Sequence, residues 1–158
     1  MKPLFAPLVA TTLFAMPVMA LAFSLGNKPY VQPVEGEPAA EVSIDPGLGI
    51  VGALNFNEDG CYIGRTGAET LRVHAQRKAH MDVQIRDGRK TCTVTFAFTP
   101  QEGHQYRVLQ GLEPSRGGQC SVMVMGKGAD GADGADATVD VQPFEMRVRG
   151  FGCLRASE

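Results

Sequence analysis

The chain has 158 residues, with 15 basic and 17 acidic side chains and a formal net charge of −2. That balance excludes the broad basic field needed for non-specific nucleic-acid binding and gives no attraction to an anionic membrane surface. The length fits one domain with its own core, and the absence of Trp, with only three Tyr, argues against a carbohydrate-stacking platform.

Met1-Lys2 supplies one positive charge. Leu4 to Leu21 is apolar apart from Thr11 and Thr12, and Ala20-Leu21-Ala22 closes the run with small residues at alternate positions. This predicts a secretory signal peptide over residues 1–22, with cleavage after Ala20 as the alternative to cleavage after Ala22. Pro7 and Pro17 interrupt the run and argue against a membrane anchor. No later stretch is long enough to span a bilayer, so no membrane span is expected after cleavage. No cysteine precedes Cys61, which excludes a lipid-modified cysteine at the new N-terminus. The expected address is the periplasm of a Gram-negative bacterium, or the medium, where cysteines pair.

Residues 23–40 contain Pro29, Pro33, Pro38, Gly26 and Gly36 and read as an extended, poorly ordered leader. Residues 41–158 are predicted to form the domain. From Glu41 apolar and polar residues alternate, broken at short intervals by Gly, Pro and Asp. Val42 and Ile44 share a face, then Leu54 and Phe56. Leu71, Val73 and Ala75 oppose Arg72, His74 and Gln76. Met81, Val83 and Ile85 oppose His80, Asp82, Gln84 and Arg86. Cys92, Val94, Phe96 and Phe98 oppose Thr91, Thr93, Thr95 and Ala97. Tyr106 pairs with Val108, and Cys120 with Val122 and Val124. Phe144, Met146 and Val148 close the series. A period of two predicts half-buried strands throughout, with Asp87-Gly88 suited to a tight hairpin turn. Segment 69–78 is the nearest helical candidate and also fits a strand.

Four cysteines allow three pairings. Parity places Cys92 and Cys120 on core-facing sides of their strands, which favours a Cys92–Cys120 bond and leaves Cys61–Cys153 to pin the C-terminal tail. The other two pairings stay open. Spacings of about thirty residues lack the close C-x-x-C pairs of zinc or redox sites.

Lys127 to Ala137 reads KGADGADGADA. Asp130, Asp133 and Asp136, with Asp140 behind them, form a candidate calcium site, although the spacing is not that of an EF-hand. The stretch is expected to be a solvated loop that needs no cofactor, with calcium as the alternative. Arg72, Arg77, Lys78, Arg86, Arg89 and Lys90 stand against Asp82 and Asp87 and predict a basic patch on a hairpin face, either solvated or facing an acidic partner. His74 and His80 fall on the polar faces of strands expected to be neighbours, a possible metal pair. No G-x-S-x-G, H-E-x-x-H or phosphate loop is present, so no catalytic residue is assigned and no enzyme activity is expected.

The run Phe98-Thr99-Pro100-Gln101-Glu102-Gly103-His104-Gln105-Tyr106-Arg107-Val108 resembles the corner of immunoglobulin-like, fibronectin-type and transthyretin-like sandwiches, where a Tyr hydroxyl bonds to upstream backbone. Together with the flanking cysteines it is similar to small uncharacterised bacterial exported β-sandwich proteins. The resemblance implies that Tyr106 closes a corner. There is no core Trp, and no Cys stands two residues after the Tyr, both departures from antibody domains. The expectation is an all-β, disulfide-linked, antiparallel sandwich of seven to nine strands, immunoglobulin-like or transthyretin-like. Its expected role is a non-enzymatic binding or envelope-interaction module with a protein partner. The alternatives are a calcium- or small-ligand-binding accessory module and a secreted hydrolase or enzyme inhibitor.

Overall fold

The computed structural model describes residues 28–87, 90–112, 120–128, 137–150 and 153–157. They form an all-β sandwich-like arrangement with no helix. The strands are β1 (Ala39–Ile44), β2 (Gly49–Phe56), β3 (Tyr62–Ala68), β4 (Thr70–His74), β5 (Ala79–Asp87), β6 (Lys90–Phe98), β7 (Gln105–Leu112), β8 (Cys120–Lys127), β9 (Ala137–Thr138), β10 (Gln142–Pro143), β11 (Glu145–Arg149) and β12 (Cys153–Ser157). One sheet runs β4-β1-β7-β8-β9, the other β10-β6-β5-β2-β3, and β11-β12 is a separate hairpin. The count exceeds the expected seven to nine because β9 and β10 have two residues each, too short to show alternation, and because β3 and β12 carry no clean alternation of apolar and polar residues.

Three hairpin pairs, β2-β3, β5-β6 and β7-β8, stay within a sheet. The other connections among β1 to β8 cross between sheets. As a result β1 and β7 run parallel, Glu41 opposite Gln105, within sheets whose other strand pairs are antiparallel. An immunoglobulin sandwich keeps its first, second, fourth and fifth strands in one sheet. Here β1 and β4 lie opposite β2 and β5, so of the two arrangements expected, the connectivity departs from the immunoglobulin one.

The core follows strand parity. Val42, Leu71, Val73, Met81, Val83, Ile85, Phe96, Val108 and Val124 are fully buried between the sheets, each worth about 1.5–3 kcal/mol of burial. The exception is β2. Its main-core residues are Val51 and Ala53, while Leu54 packs in a second cluster with Ala97 and Phe144. Phe56, Tyr62, Met146 and Ala156 border that cluster, so β11-β12 covers part of the outer face of its sheet. A strand buried on both faces loses the alternation that identifies its inner side. Val148, expected to share the face of Phe144 and Met146, is 70% exposed where the hairpin projects past the cluster.

Cys92–Cys120, with Cα atoms 6.3 Å apart, joins β6 to β8 across the two sheets. Cys61–Cys153, with Cα atoms 5.2 Å apart, ties the β2-β3 turn to the start of β12. These are the two pairs that parity favoured, and no described cysteine is free. At the β6-β7 corner the Gln101 N–H donates to Tyr106 Oη at 2.9 Å, and the Phe98 ring meets Tyr106 edge-on at 5.0 Å. Gly103, with φ of +72°, donates its N–H to Ala39 O at 2.8 Å, locking the corner onto β1.

Chain segments cross both flanks of the sandwich. From Lys28 the leader is extended but docked, where a loose segment was expected. Lys28 N–H donates to Ile63 O on β3, and Gln32 Oε1 accepts the Arg72 N–H on β4. On the other flank, β9 pairs with β8 and β10 with β6. Such crossings cover backbone groups that open edges would expose.

Candidate binding cleft

The β4-β5 turn builds the candidate site. β4 ends at His74, and Ala75 donates its N–H to Pro38 O at 3.0 Å. Gln76 is the one described non-glycine residue at positive φ, +61°. Its N–H donates to Pro100 O at 2.8 Å, which holds a backbone conformation that L-residues seldom adopt. Arg77 and Lys78 follow, and β5 begins at Ala79.

The turn forms one wall of a cleft of about 330 Å³. Tyr30 and Val31 of the leader form a second wall and Leu54, Asn55 and Phe56 of β2 a third, with His74, Arg77, Lys78 and His80 supplying the basic side chains. Each wall is fixed. Asn55 Nδ2 donates to Lys28 O at 3.2 Å. Thr66 Oγ1 donates to Tyr30 O at 3.0 Å, and the His74 N–H donates to Tyr30 Oη at 3.0 Å. The Tyr30 and His74 rings meet edge-on at 6.0 Å. Burial pushes the Tyr30 phenol above its ordinary pKa, against the opposing pull of the His74 N–H and of Arg77.

His80 lies between Phe56, at 4.9 Å, and Phe144, at 5.3 Å. His74 Nδ1 stands 4.0 Å from Glu37 Oε2. The two histidines therefore reach one cleft from opposite sheets. They are not neighbours in a sheet as alternation suggested, because the chain changes sheets in the turn between them. A smaller depression of about 240 Å³ shares His74 and Arg77 and adds Glu37.

The expected basic patch is divided. Arg77 and Lys78 stand at one end of β5 and Arg86 near the other, about 27 Å away at ~3.4 Å per residue. Arg72 is in the opposite sheet, and Arg89 lies outside the described residues. Asp130, Asp133 and Asp136 also lie outside them. Asp140 is exposed and borders a groove of about 440 Å³ with Val122, Met123 and Val139. Among the described residues no three His, Cys, Asp or Glu side chains are grouped to hold a metal, and no helix is long and apolar enough to cross a membrane.

Sequence reasoning missed one polar pair. Asp82, read as an outward polar residue, is buried. Arg65 Nε donates to both its oxygens, at 2.8 and 2.9 Å. Gly52 and Gly67 face each other across β2 and β3 and make the room. A Cβ on Gly52 would fall 1.9 Å from Asp82 Oδ1, and one on Gly67 would fall 2.5 Å from an Arg65 terminal nitrogen. Paired glycines inside strands were the available signal.

No protein-family model matches the chain, and no curated protein or solved structure matches it. The fold and the cleft together define a disulfide-linked all-β sandwich with a basic, aromatic-walled cleft at one end.

Proposed function

We propose that this chain is an exported, non-enzymatic binding module of the periplasm or medium, and that the cleft between the leader, β2 and the β4-β5 turn is its contact surface. The observation that carries the reading is the construction of the cleft. Three segments distant in sequence are tied together by hydrogen bonds, and the turn among them holds Gln76 at positive φ. Strain of this kind persists only where surrounding structure enforces it, and it clusters at ligand clamps. Export is supported by the pattern of residues 1–22 and by two disulfides, which suit an oxidising compartment.

Native mass spectrometry of protein exported with its own signal peptide and a C-terminal tag tests this. The expected result is loss of residues 1–22 and a co-isolating small molecule or protein that is absent from a His74→Ala/Arg77→Ala variant. An exported protein that carries the same companions with and without those side chains, or none with either, contradicts the reading.

A further inference from the structure

We infer that the cleft recognises a small organic oxyanion, with its charged head at Arg77 and His74 and its apolar body against Phe56 and Val31. This rests on the reading of the cleft as the contact surface and adds the ligand class. Two of its lining side chains, Arg77 and Lys78, are cationic, two more are the imidazoles of His74 and His80, and none is a carboxylate, in a chain whose formal net charge is −2. The positive character is therefore local to the cleft and does not come from the field of the molecule. One carboxylate lies beside it: Glu37, near His74 in the adjoining depression.

The remaining lining chemistry suits an amphipathic guest. Phe56 and Val31 offer apolar surface over the buried Leu54, and Val31 is 72% exposed, so its contact area is open to a ligand. The Tyr30 hydroxyl already accepts the His74 N–H, which aims the His74 strand end at the cleft. A guanidinium matches the planar, two-oxygen face of a carboxylate or phosphate. The volume lies at the small end of the range for ligand sites, enough for one ring and its head group and too little for a polymer chain to be enclosed.

The test uses the whole exported protein, ¹⁵N-labelled, titrated with phenylacetate, phenyl phosphate, benzyl alcohol and benzylamine while amide shifts are followed. The expected result is saturable movement of the amides of residues 74–80 with the two anions alone. Arg77→Gln should weaken anion binding about ten-fold, as loss of a charge-assisted contact does. Arg86→Gln, on an exposed position at the far end of β5, should leave it unchanged. Lys78→Gln provides a second cleft variant should Arg77→Gln lose its folded spectrum. The ratio between phenylacetate and phenyl phosphate separates carboxylate from phosphate as the natural head group. Saturable binding of the alcohol or the amine in the same amides, equal to that of the anions, would overturn the oxyanion and leave the cleft as the contact surface. Absence of saturable movement with all four probes would overturn the oxyanion, while the contact surface itself stands or falls on whether the companions of the exported protein depend on His74 and Arg77.

Discussion

Tyr30 Oη accepts the backbone N–H of His74 at 3.0 Å, and through that one bond the leader is fastened to the last residue of β4. The phenol is half-buried, and its ring also packs against the main core. The leader is thus a structural wall of the cleft and not a tether in front of the domain.

Tyr30→Phe should destabilise the protein by about 1–2 kcal/mol, because it leaves a part-buried N–H without its acceptor. The pH dependence has a definite sign. Burial raises the Tyr30 pKa in the folded state, so its contribution is complete below the ordinary tyrosine value of about 10 and is lost as pH rises through the raised one. Urea melts at intervals from neutral pH to about pH 11 should show wild type losing more stability than Tyr30→Phe over the alkaline part of the range. Parallel curves for the two proteins would contradict the assignment.

Asp82→Ala should cost about 3–5 kcal/mol, since it leaves the Arg65 guanidinium on the sheet without its counter-ion. Its terminal nitrogen Nη2 is already buried without a hydrogen-bond partner. Gly52→Ala should cost about 1–3 kcal/mol or more by overpacking the same pair, and the two changes should be far from additive because they act on one contact. Chemical denaturation of the two single variants and the double variant measures this. Additive losses would show that Gly52 and the ion pair are independent.

Removing Cys61–Cys153 by paired Cys→Ala changes should cost about 4.5 kcal/mol, and removing Cys92–Cys120 about 3.5 kcal/mol, on the loop-entropy model. The two losses should differ in kind. The first frees β12 and should open the Leu54, Ala97 and Phe144 cluster, seen as rapid hydrogen exchange confined to β11 and β12. The second links the sheets themselves and should lower protection in β6 and β8 together.

Tyr106→Phe should cost about 1 kcal/mol, because the Gln101 N–H loses its acceptor at the β6-β7 corner. Calorimetry of Tyr106→Phe against wild type checks it. An unchanged melting temperature would mean that the Phe98 contact alone closes the corner.

Most of the sandwich was legible because its inner faces obey a period of two. Met81, Val83 and Ile85, or Phe96 and Phe98, could be assigned to the core from alternation alone. The same parity pointed Cys92 and Cys120 inward, and the corner pattern marked Tyr106. Alternation says nothing about which sheet a strand joins. Alternation therefore puts His74 and His80 side by side and the basic run from Arg72 to Lys90 on one face, and the change of sheet between β4 and β5 separates both. It also fails where both faces are buried, as in β2. The docked leader was hidden for a different reason: Pro29, Pro33 and Pro38 mark extended chain equally well whether it is free or held, and the difference lies in hydrogen bonds to β3 and β4. The cleft depends on all three, so its residues were visible one by one and their convergence was not.

The most direct test of the cleft as contact surface is photo-cross-linking in exporting cells, with benzoylphenylalanine placed at Val31 on its rim or at Met123, a half-exposed residue of the β8 groove. The expected result is a discrete adduct, read by intact mass, from position 31 and none from position 123. Adducts from position 123 alone would contradict the account and move the contact surface to the groove beside β8.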